Sequence, residues 1–203
     1  MRYFVTAIGT DSGKTLVSAI VTEALQADYW KPVQAGEPRD TATVQSLITN
    51  SRSRFHPESY MLHTPASPHA AAKIDRVEIR LDDIKPPETE NHLVVEGAGG
   101  LLVPLNNNDC IIDLIRHLDM EVILVSNLYL GSINHTLLSC EALSNRNINV
   151  KGIIFNGPSN SESEDIILNK STYPQLLKID QLPEVNKDVV ANLAAKLRPI
   201  FYE

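Results

Sequence analysis

Cysteine is scarce in this chain. Its two copies, Cys110 and Cys140, share no metal-ligand spacing, so a zinc or iron–sulfur framework is excluded. Each lies in or beside an apolar, helical-looking stretch and reads as a buried structural thiol, with a disulfide or a reactive thiol as the minor reading. Clustered Lys and Arg are also missing, and the formal net charge is −7. A general nucleic-acid binder needs a basic stripe to neutralise phosphates, so that class falls away. No apolar run approaches the roughly 20 residues that cross a bilayer. Arg2 to Thr6 reads as a strand, with no basic segment and apolar signal region before it. The expectation is a cytoplasmic protein with no membrane partner. Internal repeats and low-complexity tracts are absent too.

Hydrophobic residues make up 43% and charged residues 21% of 203 positions. That is ordinary for a soluble globular chain and fits one domain spanning residues 1–203. The pattern alternates strand and helix. Short apolar runs at Tyr3–Thr6, Tyr29–Val33, His92–Val95, Val122–Ser126, Val150–Asn156 and Leu176–Ile179 predict strands. Helical spacing predicts helices at Thr15–Ala27, Val44–Ile48, Ile111–Leu118, Ile133–Leu143 and Lys187–Leu197. Asn50–Glu58, Lys85–Asn91 and Gly157–Glu164 read as surface loops. Strands rich in Val, Ile and Leu, alternating with helices, imply an α/β fold of three layers, with a mostly parallel central sheet and helices on both faces. In such sheets ligands bind beyond the carboxyl ends of the strands. Thr6, Val33, Val95 and Ile154 end strands that run into polar or glycine residues.

Gly9-Thr10-Asp11-Ser12-Gly13-Lys14-Thr15 lies between the first strand and the first long helix. Gly13-Lys14-Thr15 supplies the core of a phosphate-binding loop: glycine lets the backbone approach phosphate oxygens, lysine reaches the outer phosphates and threonine ligates magnesium. The rival reading is a strand–turn–helix junction with an incidental Gly-Lys-Thr. His92 to Glu96 reads as a strand ending in a carboxylate, followed by Gly97-Ala98-Gly99-Gly100. Glu96 is either a hard oxygen ligand that completes a magnesium site with Thr15, or an acidic turn residue; the loop before it favours the ligand. Asp40, taken alone, reads as an N-cap or first-turn charge. Lys31 reads equally as a holder of an anionic intermediate or as a solvated lysine reaching past Trp30.

Five ordered segments carry a resemblance to the dethiobiotin synthetase family. They are Tyr3-Phe4-Val5-Thr6 running into Gly13-Lys14-Thr15; Trp30-Lys31-Pro32-Val33-Gln34; Ser67-Pro68-His69-Ala70-Ala71; Val95 through Leu105; and Leu130-Gly131-Ser132-Ile133-Asn134-His135. The resemblance implies a P-loop NTPase fold and an ATP- and magnesium-dependent ring closure. CO2 forms a carbamate on one amine of diaminopelargonic acid. The carbamate attacks the γ-phosphate of ATP, and the second amine closes the ureido ring and expels phosphate. By the same resemblance Lys14 and Lys31 are catalytic, Lys14 on the outer phosphates and Lys31 on the carbamate. Thr15, Asp40 and Glu96 hold Mg2+. Asp11, Ser12, Gly13, Leu16, Gly97, Ala98 and Gly99 line the nucleotide, with Asn156 and Gly157 on its adenine side. Thr10, Ala35, Gly99, Leu130, Ser132 and Asn134 contact the substrate, the last three across a homodimer interface.

Two positions depart from the family pattern. Ala7 stands where the longer loop begins with glycine, a small loss if the local φ is negative and a larger one if it is positive. Ala35 stands where a serine or threonine usually touches substrate. His69 and His135 read as packing or capping residues. Rival readings are a partitioning or maturation ATPase and a nucleotide-binding module without chemistry. The first carries a signature lysine five residues before the loop lysine, where this chain has Gly9. Cobyric-acid-type ligases share this fold but usually carry a second glutaminase domain, for which 203 residues leave no room.

Overall fold

The computed structural model describes residues 1–202. In chain order its elements are β1 (Arg2–Ala7), α1 (Lys14–Leu25), β2 (Asp28–Trp30), β3 (Val33–Ala35), α2 (Asp40–Leu47), β4 (Phe55–His56), β5 (Tyr60–Leu62), α3 (Pro68–Asp75), β6 (Leu93–Gly100), α4 (Ile111–Leu118), β7 (Glu121–Asn127), α5 (Ser132–Ser144), β8 (Val150–Asn156), α6 (Ser161–Ser171), β9 (Gln175–Ile179) and α7 (Lys187–Leu197). Seven strands form one sheet in the order β4-β2-β6-β1-β7-β8-β9, with every pairing parallel. Parallel neighbours require crossover connections, and the helices supply them on both faces.

Each face has its own core. Val17, Ile20, Val21 and Leu25 of α1 join Val190, Leu193 and Leu197 of α7 over one face of the sheet. Ile111, Ile112, Leu114 and Ile115 of α4, with Leu143 of α5 and Ile167 of α6, cover the other. Alternation along the strands sorts the residues: Ile123 and Val125 of β7 belong to the first core, Val122 and Leu124 to the second. Among the described residues no helix is long and apolar enough to cross a membrane.

The structure corrects several expectations. The strand expected over Tyr29–Val33 is two strands. Pro32 has no N–H to offer a ladder; β2 stops at Trp30, and β3 leaves the main sheet to pair with β5. The loop expected over Asn50–Glu58 carries β4. Its two residues are too short to show a period. The loop expected over Gly157–Glu164 runs into α6, whose start is set by Asn160 accepting from the Ser163 N–H at 3.0 Å. Cys140 is buried as expected, with its thiol pushed up to about 11 by burial. Cys110 is only half-buried and caps α4.

Candidate active site

β1 delivers the chain to the carboxyl edge of the sheet, and α1 starts seven residues after it ends. The turn between them needs left-handed backbone at Asp11 (φ 55°) and Gly13 (φ 93°). At Gly13 a side chain is also excluded by space, since a Cβ would fall 2.3 Å from Asn156 Nδ2. Ala7 lies inside β1 in strand backbone, so glycine has no conformational advantage there. The Asn156 carboxamide donates to the Ser12 carbonyl at 3.0 Å, bracing the loop from the end of β8. Among the described residues, the main-chain N–H groups from Thr10 to Leu16 have no protein acceptor. They fringe the N-terminus of a 12-residue helix, where partial positive charge gathers. Leu16 packs its side chain on the first core and offers only its backbone to this edge.

Four side chains converge at this edge of the sheet. Thr15 Oγ1 lies 3.0 Å from Glu96 Oε1 and 3.1 Å from Asp40 Oδ1. Lys31 Nζ lies 2.6 Å from Asp40 Oδ2 and 3.1 Å from Glu96 Oε1, and donates to the Gly97 carbonyl. Residues 25 and 81 positions from Thr15 are thus brought to one point by β6 and α2. Glu96 and Lys31 are buried. Burial alone would lower the Lys31 pKa, but the Glu96 and Asp40 carboxylates outweigh it and hold the ammonium above its ordinary value. Lys14 donates to the Gly9 carbonyl at 3.0 Å, and burial pushes it down to about 8 against the opposing pull of Glu96.

Two carboxylates and a hydroxyl already gathered around a positive charge are a hard-oxygen set that suits magnesium, which takes few protein ligands and completes its shell with water and phosphate. Above them opens a cavity of 680 Å³. Its walls include Thr10, Asp11, Gly13, Lys14, Thr15, Lys31, Ala35, Asp40, Glu96, Ala98 and Gly99. Asn156 and Gly157 sit at the loop's flank on the β8 end. Gly99 takes φ 69°, a left-handed conformation that favours glycine. Leu130, Ser132 and Asn134 lie elsewhere, on the turn into α5. Beside it, an apolar depression of 410 Å³ runs from Ile8 and Thr10 to His135 and Leu138. His69 and His135 are exposed and hydrogen-bonded to Ser67 and Tyr129.

Two supporting residues escaped the sequence reading. Gln34 accepts the Asp40 N–H at 3.2 Å and donates to the Gly36 carbonyl at 3.1 Å, so it fixes the start of α2 and with it the Asp40 carboxylate. Tyr29 donates its phenol to Glu96 Oε2 at 2.9 Å from inside the core. Periodicity marks Tyr29 only as a strand residue and leaves Gln34 just past the expected strand; nothing local shows that its amide would cap a helix six residues on.

The parallel sheet and this loop define a P-loop nucleotide-binding protein. A family model described as "AAA domain" matches residues 1–189. Cell division ATPase MinD of Pyrococcus furiosus shares the fold, with a TM-score of 0.66 at 14% identity, covering 99% of this chain and 98% of that one. ATP-dependent dethiobiotin synthetase BioD of Cytophaga hutchinsonii is 58% identical over 100% of this chain and 99% of its own length. The same enzyme of Christiangramia forsetii is 52% identical over 97% and 95%. The chain belongs to the ATP-dependent dethiobiotin synthetase family.

Proposed function

We propose that this chain closes the ureido ring of dethiobiotin from diaminopelargonic acid and CO2 at the expense of ATP, acting as one domain in the cytoplasm. The observation that carries this reading is the meeting of Thr15, Asp40, Glu96 and Lys31, each within 3.1 Å of two of the others, beside the glycine-containing loop at the start of α1. A phosphate tail lies along the Thr10–Leu16 amides, with Lys14 turning from the Gly9 carbonyl to the outer phosphates. Thr15, Asp40 and Glu96 hold Mg2+. When bound, that ion neutralises charge that develops on the transferring phosphoryl group.

Lys31 stays protonated at working pH and is within reach of the cavity, so it can bind the carbamate and offset its charge. The carbamate oxygen attacks the γ-phosphorus and ADP leaves. The second amine then attacks the carbonyl carbon, closing the ring and releasing phosphate. Thr10, Ala35 and Gly99 line the diamine's side of the cavity, and Asn156 and Gly157 border the base.

The apolar depression supports a homodimer. Leu130 is fully exposed, and Leu102 and Leu138 are largely so. A second copy would cover them and bring its own Leu130, Ser132 and Asn134 to the substrate's carboxylate end. Leu130→Glu is expected to shift the protein to monomer in sedimentation equilibrium and to raise the diamine KM.

The decisive assay mixes protein, ATP, Mg2+, bicarbonate and diaminopelargonic acid and follows phosphate and ring-closed product. Phosphate release that requires the diamine supports the reading. Release without it identifies a plain ATPase, and nucleotide binding with no release identifies a module without chemistry.

A further inference from the structure

Glu96 is buried in the middle of β6, and its two oxygens have different surroundings. Oε1 faces Thr15 and Lys31, the groups of the cation site. Oε2 faces the core, where the Tyr29 phenol reaches it at 2.9 Å; among the described residues no other hydrogen-bond partner meets that oxygen. Tyr29 is itself fully buried and cannot easily move. Its backbone is fixed in β2 opposite Val94 on one side and Phe55 on the other. Its ring lies against Phe55, with centroids 5.9 Å apart. A phenol so placed constrains a carboxylate's rotation and holds one lone-pair direction toward the cavity.

We propose that Tyr29 is a positioning residue for the cation site, locking the Glu96 carboxylate so that Oε1 presents to the metal. The inference rests on the reading of Glu96 as a metal ligand. Without the phenol, Oε2 is a buried charged oxygen lacking a donor. It regains one by turning toward Lys31 or Thr15, and that rotation withdraws the ligand from the cation. Hydrogen-bond partners of metal ligands are commonly worth about 10–100-fold in metal affinity.

The test is Tyr29→Phe, which keeps the ring, its packing and its volume. Mn2+ serves as the probe, its binding to the ATP-loaded full chain read by electron paramagnetic resonance. The expected result is Mn2+ affinity weakened by about 10-fold. ATP affinity in chelator and the diamine KM should be as in the parent, since neither depends on that oxygen. A merely structural role would lower the unfolding midpoint and leave Mn2+ affinity unchanged. Glu96→Gln is measured alongside. Mn2+ affinity within twofold of the parent in Tyr29→Phe, while Glu96→Gln loses it, overturns the role of Tyr29 alone. Unchanged affinity in Glu96→Gln overturns the ligand assignment of Glu96 and the inference with it.

Discussion

Replacing Lys31 with alanine should unsettle the metal-free protein and leave the magnesium-loaded one nearly intact. The Lys31 ammonium sits between two carboxylates, 2.6 Å from Asp40 and 3.1 Å from Glu96. Alanine leaves those carboxylates converging on Thr15 with no cation between them. Removing one partner of a buried ion pair costs roughly 3–5 kcal/mol. The Asp40 side chain is 29% exposed, so water screens its share and the lower end applies, about 3 kcal/mol. In a chain of this size that lowers Tm by about 6–12 °C. The lysine value is raised in the folded state, so its contribution is fully present below about pH 10.4, the ordinary lysine value, and fades as pH rises through the folded value. A measurement at neutral pH therefore registers all of it. Magnesium held by Thr15, Asp40 and Glu96 should restore the missing positive charge. Calorimetric melting of parent and Lys31→Ala, in chelator and in excess Mg2+ with ADP, makes the comparison. A variant that melts with the parent in chelator refutes the reasoning. So does a deficit that Mg2+ and ADP leave unchanged. Catalysis is a separate matter: the variant should bind ATP near normally and turn over almost no diamine.

Two further predictions follow from the same geometry. Lys14 is held down to about 8 by burial, and a phosphate tail restores its proton. ATP binding near pH 8.5 should therefore take up protons, seen as a buffer-dependent calorimetric heat, and ATP affinity should fall as pH rises past 8; no uptake would contradict the placement of Lys14 on phosphate. Ala35→Ser adds a hydroxyl to the cavity wall. One new hydrogen bond, roughly 0.5–1.5 kcal/mol, should lower the diamine KM by about 2- to 12-fold with kcat unchanged.

The chemistry-bearing strand ends were legible because parallel strands are buried on both faces and read as unbroken apolar runs. Ile111–Leu118, Val150–Asn156 and Lys187–Leu197 emerge with the expected bounds. The site was legible through Gly13-Lys14-Thr15 and the Glu96 carboxylate, although the strand expected to end at Glu96 runs on through the glycines to Gly100. What stayed hidden depends on distance in sequence. Whether Lys31 is a solvated surface lysine or a buried counter-ion turns on the break at Pro32 and on Asp40 returning nine residues later. The roles of Gln34 and Tyr29 need the packed sheet, since each acts through a residue on another element. The two-residue β4 exists because β2 offers it an edge, and helix α6 carries too few apolar residues to declare a face; Glu164 and Ile167 are its buried positions.

The central claim is that a carbamate oxygen attacks ATP in the cavity above Lys31. Supplying 18O-labelled CO2 and analysing the products by mass spectrometry tests it directly. The expected result is one 18O in each phosphate released and one 18O in the carbonyl of each ring formed. Phosphate whose new oxygen comes from water would contradict it.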